Sequence, residues 1–217
     1  MEALRAALRE AVAARMVTDA AHDLAHLDRV WANCLDIAKH EAAPNMRVLL
    51  GATYLHDLVN LAKNDPQRDQ ASQLAAKDAA PILGRLRYSD SETDAARHAI
   101  QSHSFSAGIE PKSSEARILQ DADRLDAIGA IGIARTFAVA GALKLALYDP
   151  QDPFAERRPL NDRLWALDHW PVKLFRLPQT MKTKTGRDIA RARVAEMRRF
   201  AESLAVEIGT DLPDTWR

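Results

Sequence analysis

Apolar residues recur every three or four positions along nearly the whole chain, and this spacing limits what it can fold into more than any other feature. It places them on one face of an α-helix, whose period is about 3.6 residues. The N-terminal segment shows the pattern with Leu4, Leu8, Val12 and Met16, which are separated by charged residues. Leu27, Val30, Trp31, Cys34 and Ala38 form a second stripe; Met46, Leu49, Leu50, Thr53, His56, Asp57 and Asn60 form a third. No run of alternating β-branched residues interrupts them, and Gly and Pro gather at a few boundaries. The chain reads as all-α.

Ala42-Ala43-Pro44-Asn45 separates the second helix from the third. The polar stretch from Lys63 to Arg68 leads into a helix with Ala75, Ala79, Ile82, Leu83 and Leu86 inward, and Pro81 is expected to kink it. Another helix is predicted from Ser91 to about His103, with Ser91 and Asp94 as its capping arrangement. A long buried segment rich in small residues is predicted from Ser113 to about Leu147, where Gly129 and Gly132 thin one face for a close neighbour. Asp149-Pro150-Gln151-Asp152-Pro153 breaks the pattern, and helical stretches follow at about 161 to 177 and 184 to 208. The stripe of Trp165, Trp170 and Phe175 reads as packing. The simplest organisation is one helical domain over residues 1–209, with a core at about 20–148 and helices at 160–208 packed on it. Residues 210–217 form a tail expected to fray.

Thirty basic and thirty acidic side chains cancel, so no global field favours nucleic acid or an anionic membrane. Function must come from a local site. The single cysteine, Cys34, cannot form an intrachain disulfide and reads as a small core hydrophobe. The charged N-terminal helix does not resemble a secretion signal, and nothing later approaches a membrane span in length. A cytoplasmic protein, monomer or homodimer, is expected.

His56 and Asp57 are the first anomaly, because they continue a core-facing stripe where apolar residues normally sit. Burial there is costly unless both are paired. His26 lies at the edge of another inward stripe, with Val30, Asn33 and Ile37 at helical spacing after it. Asp121 and Asp123 precede the apolar run from Ile128 to Ile133. Asp123 has the small apolar helical neighbours Leu119, Ala127 and Ala130, which favours it as the carboxylate that joins the group. Asp121 reads either as a helix-start carboxylate or as an outer partner of a ligand histidine. Clustered imidazole and carboxylate groups suit a divalent metal ion; the alternative is a buried hydrogen-bonded network with no ion.

The order of these residues resembles the HD superfamily of metal-dependent phosphohydrolases. His26-Leu27-Asp28-Arg29-Val30 looks like that family's first motif, Leu55-His56-Asp57-Leu58 its second and Ala122-Asp123-Arg124-Leu125 its last. The likeness spans roughly residues 20 to 208 and extends to His103-Ser104-Phe105-Ser106 and His169 to Leu177, which look like small stand-alone bacterial members. It implies all-α packing and one ion held by His26, His56, Asp57 and Asp123. Mn²⁺ is the first expectation, with Fe²⁺, Zn²⁺, Mg²⁺ or Ni²⁺ as alternatives.

Four protein ligands on a six-coordinate ion leave room for water and a phosphate oxygen, a hydrolytic arrangement. Lys63, Arg68, Lys112 and Arg124, together with His103, are the candidates for holding phosphate, and His22 for orienting substrate or protonating a leaving group. Leu58-Val59-Asn60-Leu61 follows the doublet where relatives that hydrolyse guanosine tetraphosphate carry an acidic pair, so that substrate is disfavoured. The expected substrate is a nucleotide or similar phosphate ester. The competing reading is a metal-containing protein that binds a nucleotide without cleaving it.

Overall fold

Side chains that cap their own helices set many of the boundaries in the computed structural model, which describes residues 1–15, 23–59, 61, 67–104 and 107–216. The α-helices are α1 (Glu2–Ala13), α2 (Leu24–Ala38), α3 (Met46–Leu55), α4 (Ala71–Arg85), α5 (Asp90–His103), α6 (Ser114–Asp126), α7 (Gly129–Ala142), α8 (His169–Val172), α9 (Leu177–Thr180) and α10 (Lys184–Glu207). Among the described residues there is no strand, only an isolated bridge between Ala146 and Trp165. The fold is all-α, as the periodicity predicts. Among the described residues no single helix is long and apolar enough to cross a membrane.

The carboxylate of Asp23 accepts from the backbone N–H of His26 at 2.7 Å and starts α2; Asn45 accepts from Arg47 and Val48 and starts α3. Such caps satisfy amides that have no partner within the helix. α5 is capped two residues earlier than the Ser91 and Asp94 reading: Ser89 and Glu92 form a reciprocal capping box. Glu92 has the longer reach and returns to the Ser89 amide. Pro81 lies inside α4 without ending it.

The chain divides into two compact units, Met1–Asp123 and Arg124–Arg217, so the division falls within α6, upstream of the break at 149–160. In the first unit α3 packs against α1, α2, α4 and α5. Leu27, Val30, Cys34, Leu49, Leu50, Ala79, Leu83, Ala96 and Ile100 are buried there. Gly51 is required by close approach: a Cβ at this position would stand 2.8 Å from the Tyr88 hydroxyl and 2.9 Å from Leu83 Cδ2. Tyr88 then donates to the Arg47 carbonyl at 2.8 Å.

The second unit centres on aromatic side chains. Trp170 and Trp216 are buried, and Phe175 lies 6.2 Å from the first ring and 5.6 Å from the second. The packing reading of Trp170 and Phe175 therefore holds, whereas the tail is anchored: Trp216 is 1% exposed and its indole donates to the Phe154 carbonyl at 2.9 Å. The segment predicted to be continuous from 113 to 147 is interrupted at residues 127–128. Gly129 takes a left-handed φ of 76° at the start of α7, and the Arg193 side chain of α10 would lie 3.1 Å from a Cβ there. Gly132 instead makes room for the Ala127 carbonyl, which would come within 2.3 Å of a Cβ. α7 is also less buried than predicted, with Ile131 39% exposed. Residues 161–168 are turns rather than helix, pinned where Arg158 meets buried Asp168 in two bonds of 2.6 and 2.9 Å.

Candidate metal centre

Three helices and the turn after α3 bring the chemistry-bearing residues of the first unit together. His26 lies in the first turn of α2, His103 ends α5, and Asp123 sits near the end of α6. α3 ends at Leu55, so His56 is its C-cap and Asp57 lies in the following turn. The two are therefore not successive positions inside a helix.

His26 Nε2 is 3.4 Å from Asp57 Oδ2 and 3.5 Å from Asp123 Oδ1. His56 Nε2 is 3.3 Å from Asp57 Oδ2 and 3.7 Å from Asp123 Oδ1. Ligand atoms about 2.0–2.2 Å from one ion stand roughly 3 to 3.6 Å from each other, close to these spacings. His26, His56 and Asp123 form one close-set group that could hold an ion; His56, Asp57 and His103 form another. Asp121 is in neither. It is fully buried in the middle of α6, away from the amides that start this helix, which removes the helix-start reading on α6.

The ring orientation of His56 bears directly on the fit. Its Nδ1 lies 2.7 Å from the Thr53 carbonyl oxygen, which only accepts, so Nδ1 carries the hydrogen. In the neutral ring Nε2 is then a lone pair, and it faces carboxylate oxygens that also accept. This Nε2 is buried and has no hydrogen-bond partner. Acceptors facing acceptors need a donor or a cation between them, and a proton on the ring or a metal ion supplies it. The residues fit a divalent ion of the kind bound by nitrogen and oxygen ligands.

The electrostatics point the same way. Burial works against ionisation of Asp57, yet the neighbouring imidazoles of His56 and His26 hold its carboxyl well below the ordinary range. Asp123 is lowered despite burial by His56 first and then by His26 and His103. Burial also works against charge on His56, and Asp57 and Asp123 overcome it, raising this imidazole well above its usual value.

His103 lies closer to the doublet than a phosphate-binding role requires. Its ring stands edge-on to His56 at 4.7 Å, and its Nε2 is 3.7 Å from Asp57 Oδ1. Nδ1 is 2.6 Å from the Ile100 carbonyl, which fixes the hydrogen there and leaves Nε2 as an acceptor. Burial, then His56, lowers its pKa. A neutral acceptor cannot donate to a phosphate oxygen, so His103 offers a ligand atom or a water contact instead. Its inward position was legible: Ala96, Ala99 and Ile100 precede it at helical spacing and are all buried.

Of the five remaining candidates, three are described and two fall outside the described residues. His22 and Lys63 fall outside them. Arg68 donates to the Leu61 carbonyl at 2.6 Å, Lys112 is exposed, and Arg124 donates to the Thr180 carbonyl at 2.8 Å within the second unit. Two supporting residues carried little signal in sequence. Asn33 donates to the Ala122 carbonyl at 3.1 Å, tying α2 to α6, and Gln120 donates to the Ser102 carbonyl at 2.6 Å, tying α6 to α5.

Comparison with known proteins gives this geometry a context. A family model described as HD domain matches residues 23–128. The uncharacterized protein YpgQ of Bacillus subtilis is 34% identical over 192 residues, covering 86% of this chain and 84% of the relative. The crystal structure of Bacillus subtilis YpgQ in complex with ADP has a TM-score of 0.71 at 27% identity, covering 98% of this chain and 96% of that one. A crystal structure of an HD-superfamily hydrolase from Bacillus thuringiensis has a TM-score of 0.72 at 28% identity, covering 95% and 96%. His26, His56, Asp57, His103 and Asp123 all fall inside the matched segment, and the chain belongs to the HD-domain family.

Proposed function

We propose that this protein is a divalent-metal-dependent phosphohydrolase that acts on a nucleotide or related phosphate ester. The observation that carries the reading is the buried meeting of the His56 lone pair with the carboxylates of Asp57 and Asp123, beside His26. In this reading His26, His56, Asp57 and Asp123 hold one ion, Mn²⁺ by preference, with Fe²⁺, Zn²⁺, Mg²⁺ or Ni²⁺ also suited to the donor set. When bound, such an ion lowers the pKa of a coordinated water and neutralises charge on a phosphoryl group.

The protein's own groups supply orientation. The Thr53 carbonyl holds the His56 ring with Nε2 toward the carboxylates, and the Ile100 carbonyl does the same for His103. His103 accepts a hydrogen bond from a water in the site and so keeps that water's lone pair directed at phosphorus. Arg68, Lys112 and Arg124, with Lys63, contact phosphate oxygens, and His22 serves the leaving group. Arg68 has five N–H donors and spends one group on Leu61, so its capacity is not exhausted. Asp121 acts as a buried outer partner of the ligand set. The ADP complex of Bacillus subtilis YpgQ supports a nucleotide as the substrate class.

Purified protein incubated with Mn²⁺ and a panel of nucleoside mono-, di- and triphosphates tests the reading, with release of phosphate and pyrophosphate followed. Turnover of at least one nucleotide, abolished by chelator, is expected. Binding without release from any of them would sink the enzyme in favour of a nucleotide-binding regulatory protein.

A further inference from the structure

The structure assigns a positioning role to Arg5, Asp28 and Tyr54: they form a clamp that fixes the spacing of His26 and His56. This rests on the metal reading above and concerns residues outside the proposed ligand set. The Tyr54 hydroxyl donates to Asp28 Oδ1 at 2.6 Å and accepts from Arg5 Nε at 2.7 Å. A second Arg5 nitrogen reaches the same Asp28 oxygen at 3.0 Å, and Arg9 reaches Asp28 Oδ2 at 3.3 Å. Three helices therefore meet at one hydroxyl and one carboxylate.

The register gives the clamp its consequence. Asp28 follows His26 by two residues on α2, and Tyr54 precedes His56 by two on α3. Two helical positions correspond to about 200°, so the clamp grips both helices on faces roughly opposite those that carry the histidines. Tyr54 is fully buried, so its hydroxyl must be satisfied in place, and the Asp28 bond links α2 directly to α3. A change in the separation of these helices changes the separation of the His26 and His56 rings, whose centroids are 5.6 Å apart. Ions tolerate small errors in ligand spacing poorly, and removing partners bonded directly to ligands lowers metal affinity about 10- to 100-fold. Acting through two helices, the clamp should give less. α1, which supplies Arg5 and Arg9, lies before the segment matched by the HD model at residues 23–128. The N-terminal helix straps α2 and α3 together and is held also by buried Leu8 and Val12.

The test is Mn²⁺ titration calorimetry on full-length wild type, Tyr54→Phe, Arg5→Met and Ser89→Ala, with far-UV circular dichroism and melting of each metal-free protein. Ser89→Ala removes a helix cap remote from the clamp and controls for general destabilisation. Tyr54→Phe and Arg5→Met are expected to raise the Mn²⁺ dissociation constant about three- to tenfold, below the range for direct partners, while Ser89→Ala leaves it unchanged. Wild-type affinity in both clamp variants overturns the proposal and leaves the residues a purely structural role. If Tyr54→Phe does not fold, Arg5→Met decides alone, since it removes both arginine bonds of the clamp. Failure of the wild-type protein to bind Mn²⁺ overturns the metal reading itself, and the clamp's role with it.

Discussion

His56 Nε2 and Asp57 Oδ2 belong to consecutive residues and stand 3.3 Å apart, longer than a good hydrogen bond and close to the spacing of two ligands on one ion. Asp57 also lies 3.4 Å from His26 and 3.7 Å from His103, so one carboxylate serves three imidazoles. Asp57→Ala should therefore remove Mn²⁺ binding and turnover together. The affinity loss should exceed the roughly 100-fold that loss of an outer partner produces. Because Asp57 follows the end of α3, the helices should survive with an unchanged far-UV circular dichroism spectrum. Retained activity in this variant would refute the proposed centre.

Proton competition should be visible in the same cluster. Without metal, Asp57 and Asp123 raise His56 well above its ordinary pKa against the opposing effect of burial, so this ring holds its proton to higher pH than an ordinary imidazole. A metal needs the neutral ring, so Mn²⁺ binding should release a proton and tighten as pH rises. Calorimetry in two buffers of different ionisation enthalpy measures the release, and equal apparent enthalpies would contradict it. The stability of the metal-free protein follows from the same shifts. The raised His56 contributes stability that is complete below about pH 6.5, its unfolded value, and is lost as pH rises through the higher folded value. Asp57 and Asp123 are lowered, so their contribution is present above about pH 4 and is lost as pH falls through their folded values. Melting temperatures without metal should fall on the alkaline side, and Mn²⁺ should remove that fall by replacing the proton.

The parts legible in sequence were those that depend on local period and on ordered motifs. Leu27, Val30, Cys34 and Ile37 are buried as their spacing requires, and the same spacing exposed His26 and His56 as polar residues on inward faces. Asp123 could be preferred to Asp121 because its helical neighbours Leu119 and Ala127 are small or apolar. What stayed hidden depends on contacts distant in sequence. Trp216 looked like part of a polar tail, but its burial is created by Phe154, 62 residues away. The tautomer of His103 is set by a backbone carbonyl, which carries no residue-type signature. The interruption at 127–128 uses the left-handed φ of Gly129, a glycine that in sequence reads equally well as room for a close neighbour.

Arg158 and Asp168 should form a stabilising pair whose breakage is costly. Asp168 is fully buried and takes two bonds from the Arg158 guanidinium, with a third from the Asn161 amide at 2.6 Å. The same arginine donates to the Asp152 carbonyl, so it fastens the turns after residue 149. Arg158→Met keeps much of the side-chain volume and leaves the carboxylate short of its cation, which should cost about 3–5 kcal/mol. Urea unfolding followed by tryptophan fluorescence measures it. A second change, Asp168→Asn, should recover part of the loss by removing the unpaired charge; no recovery would show that packing, not charge, sets the cost.

Trp216 separates volume from hydrogen bonding in the second unit. It is 1% exposed, with Phe154 5.1 Å and Trp170 6.3 Å away between ring centroids, and its indole N–H serves the Phe154 carbonyl. Trp216→Ala opens a cavity among these rings and should lower stability by about 3–5 kcal/mol. Trp216→Phe keeps most of the aromatic contact but leaves the Phe154 carbonyl without this donor, which should cost about 1–3 kcal/mol. Denaturant unfolding of both variants checks the order of the two losses. Equal and small losses would show that the C-terminal residues contribute nothing to the core; a loss in the Phe variant as large as in the Ala variant would place the energy in the hydrogen bond rather than in the packing.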